Sequence, residues 1–91
     1  MRPVAEEDRD TRLRRLHMRS IRRGIKEMDI ILTRYSEARL ATLGPDQLDL
    51  YDRLLWENDQ DLYQWVTGQV AAPVDYADLV ADIARLSDAS R

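Results

Sequence analysis

The stretch Asp75–Leu86, "DYADLVADIARL", carries the clearest periodic signal in the chain. Tyr76, Leu79, Val80, Ile83 and Leu86 recur three or four residues apart, with one adjacent pair. That spacing lines one face of an α-helix. Asp75 is the expected N-cap, with Asp78 following in the first turn, where a carboxylate complements the helix dipole. A half-buried strand would need apolar and polar residues to alternate. No such run occurs anywhere in the sequence.

Working back toward the N-terminus, the helical period repeats. Ile25, Met28, Ile31, Leu32 and Tyr35 form a stripe that predicts a second helix reaching about Leu40. Leu13, Leu16, His17, Ser20 and Ile21 predict a first helix over roughly 11–22. Thr11 is its expected N-cap, in competition with Asp8 and Asp10. "LGPDQ" (43–47) reads as a loop leading into a third helix. Pro45 suits the first turn and Asp46 the positive end of the dipole. Leu48, Tyr51, Leu54 and Leu55 would face inward. "ENDQD" (57–61) is a short acidic link in which Asp59 is expected to cap a fourth helix carrying Leu62, Trp65 and Val66. Gly68 sits where a helix-ending glycine belongs. The reading is all-α: one small domain of five short helices in a compact bundle over 11–88. A flexible N-terminal tail is expected at 1–10 and a C-terminal tail at 89–91. Short links favour antiparallel packing between chain neighbours.

Composition narrows the function classes. The chain has 91 residues, enough for one domain. It has no cysteine, which excludes a disulfide scaffold, a thiol nucleophile and a Cys-ligated zinc site. No apolar run is long enough to span a membrane, so no membrane insertion is expected. The opening residues "MRPVAEEDRD" lack the apolar core of a signal peptide and carry acids that a transit peptide avoids. A cytoplasmic location is the default expectation.

The net charge of −3 hides a polarity. Residues 1–26 hold nine Lys/Arg against four Asp/Glu, and residues 27–91 hold five against thirteen. A basic end and an acidic remainder suggest a charged partner, unless folding brings the two together. "RLRRLHMRSIRR" (12–23) is similar to a basic recognition helix. It lacks interleaved aromatics, and the chain as a whole is acidic, with a pI near 5.1. Nucleic acid is therefore not the expected partner. A basic-helix adaptor that binds nucleic acid or an acidic regulatory protein is the alternative reading.

Catalytic groups are few. His17 is the lone histidine and lies on the apolar side of its helix, where packing is the ordinary role. The acid pairs Asp46/Asp49 and Asp59/Asp61 lack the glycine at the sixth loop position that an EF-hand needs. No glycine-rich phosphate loop is present. No catalytic residue and no metal ligand is assigned. Among the aromatics, Trp65 follows Leu62 by one helical turn and is expected to pack. Tyr63 and Trp56 point away from the inner stripes. An exposed aromatic is a candidate interface anchor, and Tyr63 is placed in that role.

"IRRGIKEMDII" (21–31) interrupts the helical pattern with two arginines and a glycine. If Gly24 is the N-cap of the second helix, Glu27 is N3 and its carboxylate can bond back to the cap. Arg23 and Glu27, four apart, could also pair. Neither argument explains Arg22 and Arg23 side by side, whose guanidinium forks suit carboxylate or phosphate groups.

The same stretch resembles the Arg-Gly-x-x-Glu motif of the succinate dehydrogenase assembly factors, the flavinylation factors of the flavoprotein subunit. The likeness continues through "MRSIRRGIKEMDIILTRYSEARL" and "YDRLLWENDQDLYQWVTG", covering roughly 11–70. The family's usual proline in the acidic segment before Trp65 is Gln60 here. The resemblance implies a small five-helix protein that is an assembly factor or chaperone rather than an enzyme. It would bind the flavoprotein subunit of succinate dehydrogenase, with the fumarate reductase flavoprotein as a further client. It would promote covalent attachment of FAD there while holding no cofactor stably itself. By position, the functional residues fall on Arg23, Gly24 and Glu27, accompanied by Arg22, Met28 and Asp29. With Tyr63, these seven form the expected partner-binding set.

Overall fold

Asp8 starts the first helix. In the computed structural model, which describes residues 7–89, its carboxylate accepts from the Thr11 amide at 2.8 Å. The helix α1 then runs Arg9–Ser20. The Thr11 amide bond holds the Asp8 carboxyl below its usual pKa. Asp8, rather than Thr11, is thus the cap, because a carboxylate one residue before the helix reaches the free amides of its first turn. Arg9 and Asp10 are helical, inside the segment expected to be a tail. The rest of that expectation at 1–6, and that for 90–91, lies outside the described residues.

Helix α2 spans Lys26–Arg39 and tightens into a single 3₁₀ turn at Leu40–Thr42. Its N-cap is Ile25, with no side-chain capping bond. The expectation that Gly24 caps this helix, and that Glu27 reaches back to it, is therefore corrected. Helix α3 (Pro45–Leu54) opens after Gly44, whose amide donates to the Gln47 side chain at 3.1 Å. Helix α4 (Asp59–Thr67) is capped by Asn58, which accepts from the Gln60 amide at 2.8 Å. It ends at Gly68, in the left-handed region at φ 84°, as a helix-stopping glycine should. A 3₁₀ turn, Val74–Tyr76, leads into α5 (Ala77–Ala89). Asp75 lies within that turn rather than capping the helix.

The described residues form five α-helices with no strand, so the all-α reading stands. The core gathers the predicted stripes: Leu16, Met28, Leu32, Tyr35, Leu48, Tyr51, Leu54, Leu55, Leu62, Tyr76, Leu79, Val80 and Ile83 are all buried. Helix α2 is central, packing on α1, α4 and α5, while α4 also packs on α5. Helices distant in sequence are thus paired, beyond the neighbour packing expected from short links. One polar device sits among the apolar groups. The Ser20 hydroxyl lies 2.8 Å from the Leu16 carbonyl and 2.6 Å from the Tyr51 hydroxyl, with both side chains fully buried. That pair fixes α1 against α3 without leaving a polar group unsatisfied.

Candidate functional site

Four arginines of the basic N-terminal end turn toward α3 and α4 instead of solvent. Arg12, Arg15, Arg19 and Arg23 fall at helical spacing, so those on α1 share one face. Arg12 pairs with Asp49. Arg15 takes both oxygens of Glu7, at 2.8 and 3.0 Å, and reaches Asp52 at 3.0 Å. These bonds raise its pKa above the ordinary arginine value. Arg19 donates to the Leu55 carbonyl at 3.1 Å and to Asp52 at 3.3 Å. Part of the charge polarity of the sequence is neutralised inside the fold, through four of the nine basic residues at the N-terminal end. The resemblance to a basic recognition helix loses four of its arginines to internal pairing.

The row ends at the α1–α2 junction, where the arginine-glycine stretch meets the turn between α3 and α4. Arg23 is nearly buried, its side chain 9% exposed. Its Nε donates to Asp59 Oδ1 at 2.7 Å, and its terminal nitrogens donate to the carbonyls of Leu55 and Glu57 at 3.0 and 3.3 Å. The second Asp59 oxygen accepts from the Gly24 amide at 2.6 Å. One carboxylate thus holds a guanidinium and the adjacent backbone together. The Arg23 amide donates to the Asp29 carboxylate, closing the junction from the α2 side. Leu55 is the C-cap of α3 and Glu57 lies just past it, where carbonyls lack intrahelical partners, and the arginine fork satisfies both.

This geometry gives Gly24 a reason distinct from capping. A Cβ at that position would stand 3.1 Å from Asp59 Oδ2. The missing side chain lets the carboxylate approach the backbone closely.

The expected partner-binding residues divide by exposure. Arg22, Gly24 and Glu27 are exposed on this one turn. Arg22 and Glu27 make no side-chain hydrogen bond or ion pair among the described residues. Arg23 and Asp29 face inward as the struts just described. Met28 is in the core at 1% exposure, and Tyr63 is half-buried against it. The structure therefore brings the first six to one junction but leaves only three of them open to a partner. Glu27 is the second residue of α2. Its carboxylate is not paired with Arg23, whose fork is fully engaged elsewhere.

Sequence reasoning missed Asp59 as the keystone and read it as a cap. The signal available was the acidic segment quoted in the resemblance, at a fixed distance from the motif, although that distance does not say which acid turns inward. His17, the lone histidine, is half-buried and bonded through Nδ1 to the Ser36 hydroxyl, in keeping with a packing role.

Comparison with known proteins adds a second line. The model of a family described as the flavinator of succinate dehydrogenase matches residues 14–87. Curated relatives named succinate dehydrogenase assembly factor 2, mitochondrial, align with two thirds of the chain. The protein from Meyerozyma guilliermondii is 46% identical over 61 residues, covering 67% of this chain and 45% of the relative. Those from Aspergillus terreus and Kluyveromyces lactis are 44% and 43% identical, each covering 67% of this chain, and 21% and 37% of the relative. The chain thus spans less than half the length of these relatives. Their names also overturn the cytoplasmic expectation, since they are mitochondrial proteins. That expectation rested on features missing from the first residues, and missing features do not assign a compartment.

Proposed function

The chain belongs to the family of succinate dehydrogenase flavinators, and on that premise we propose that it is an assembly factor that binds the flavoprotein subunit of succinate dehydrogenase and promotes covalent attachment of FAD to it. The fumarate reductase flavoprotein is a further client in this reading. The observation that carries it is the junction. Arg22, Gly24 and Glu27 present a guanidinium, a bare backbone and a carboxylate on one exposed turn. That turn is fixed from beneath by Arg23, Asp29 and Asp59. A rigid polar surface loses little conformational freedom on docking and so binds with less entropic cost.

The factor supplies binding energy and orientation, while a histidine of the client forms the bond to the flavin. FAD stays with the client throughout, and the factor holds no cofactor stably. The chain's own inventory agrees with that division of labour: it has no cysteine, and its single histidine is bonded to Ser36. Neither nucleic acid nor membrane insertion enters the reading. Four arginines of the basic stretch are internally paired. No helix among the described residues is long and apolar enough to cross a membrane.

The test is a deletion strain scored by in-gel flavin fluorescence of the flavoprotein subunit. Covalent flavin should be lost, restored by the wild-type gene and not by Gly24→Arg. Undiminished covalent flavin in the deletion strain, or full rescue by Gly24→Arg, would refute the assignment.

A further inference from the structure

Trp56 stands out against every other aromatic side chain. It is 77% exposed, whereas Tyr35 and Tyr51 are fully buried, Tyr76 nearly so, and Trp65 and Tyr63 half-buried. Its exposure is not looseness. The residues on either side of it, Leu55 and Glu57, both give their carbonyls to Arg23, and Leu55 also accepts from Arg19. The indole itself lies against the Arg19 guanidinium, 4.3 Å from ring centroid to carbon. Arg19 is in turn held by Asp52. The backbone and one face of the ring are therefore fixed, and the remainder is open to solvent. The indole N–H has no acceptor among the described residues. Beside the ring is an open hollow of about 440 Å³ walled by Asp49, Asp52 and Arg53.

Stability gives little reason for a large apolar group in this place. The guanidinium beneath it is already satisfied by a carboxylate and a carbonyl. A rigid, exposed indole matches what protein interfaces use as an energetic anchor, because a Trp buries much area while giving up few rotamers. Its location decides the partner. Arg19 on α1 and Arg23, just beyond the end of that helix, converge on one point. Both arginines bond the same Leu55 carbonyl, so Trp56 and the motif turn belong to one continuous rigid surface. Accepting the function proposed above, we infer that Trp56 is a second anchor for the flavoprotein client. It enters an apolar recess on that client, whose wall offers an acceptor to the indole N–H.

The experiment titrates the purified flavoprotein subunit with the full chain, comparing wild type, Trp56→Ala, Trp56→Phe and Gly24→Arg. Trp56→Ala should weaken binding about tenfold or more, with a melting temperature close to wild type. Trp56→Phe should fall between, keeping apolar area and losing the N–H. Tryptophan emission should shift to shorter wavelength on mixing in the wild type, and not in Trp56→Phe, whose remaining tryptophan is Trp65. Affinity of Trp56→Ala within about twofold of wild type, or an unchanged emission, would overturn the anchor. If Gly24→Arg alone abolishes binding, the function stands and only the anchor falls. Absence of binding by the wild type would remove the function and the anchor with it.

Discussion

The α1–α2 junction and the seam between α2 and α5 hold the same small bundle together by different means. In the seam, Tyr35, Leu79 and Ile83 lose water contact, and the gain scales with apolar area rather than with geometry. The seam's main polar accent is the Tyr35 hydroxyl, which donates to Asp82 at 3.2 Å. At the junction the contacts are directional. One arginine satisfies a carboxylate and two carbonyls at once, and that carboxylate also holds a glycine amide. An apolar seam tolerates changes of shape, whereas a charged junction fails when either partner is removed. The exposed residues Arg22, Gly24 and Glu27, proposed above to meet the client, lie on the region that tolerates less.

Arg23→Ala is the most severe way to break that comparison. It leaves the Asp59 carboxylate without its guanidinium and the Glu57 carbonyl without its donor, in a nearly buried position, while the Leu55 carbonyl keeps Arg19. A loss of about 3–5 kcal/mol is expected, read from urea denaturation. Arg23→Lys should recover only part of it, since an ammonium cannot fork. A loss below about 1 kcal/mol, the scale of an exposed pair, would show that the junction is a surface contact only.

Alkali attacks the tyrosine contacts instead. Burial pushes the Tyr51 hydroxyl up to about 12 from an ordinary 10.0. Burial and the Asp82 carboxylate push Tyr35 higher still. A raised phenol is neutral in the folded state after the unfolded chain has begun to ionise. Its contribution is therefore complete below pH 10 and declines as pH rises from 10 toward 12. Tyr51 alone should account for about 3 kcal/mol of that decline. Thermal melts across this range should show the fall, and Tyr51→Phe should lessen it, leaving the part due to Tyr35. A melting temperature level to pH 12 would contradict the burial argument.

Sequence reading found the seam because apolar burial leaves a period behind. Tyr76, Leu79, Val80 and Ile83 are buried as their spacing requires, and Ile25, Met28, Leu32 and Tyr35 line the inner face of α2. The junction left no such trace. Arg23 and Asp59 are 36 residues apart, and a charge reads the same in sequence whether it is paired or solvated. Helix starts went wrong for a related reason. Asp8, Thr11, Asn58 and Asp59 all qualify as caps, and only backbone geometry chooses among them. Gly24 was read as a cap when it serves the close approach of a carboxylate. The family resemblance pointed to the stretch that the fold places at the junction, but it did not separate Arg22 and Glu27, which have no side-chain partner among the described residues, from Arg23, which has several.

Glu27 offers the smallest structural effect and the sharpest functional one. Its carboxylate bonds nothing among the described residues, so Glu27→Gln should change stability by no more than about 0.5 kcal/mol. The account's central claim is that the exposed edge of this locked turn is where the client docks. The direct measurement is covalent flavin on the flavoprotein subunit in cells carrying Glu27→Gln, alongside the melting temperature of the purified variant. The account predicts an unchanged melting temperature with strongly reduced covalent flavin. Normal flavin content in a stably folded Glu27→Gln protein would contradict it.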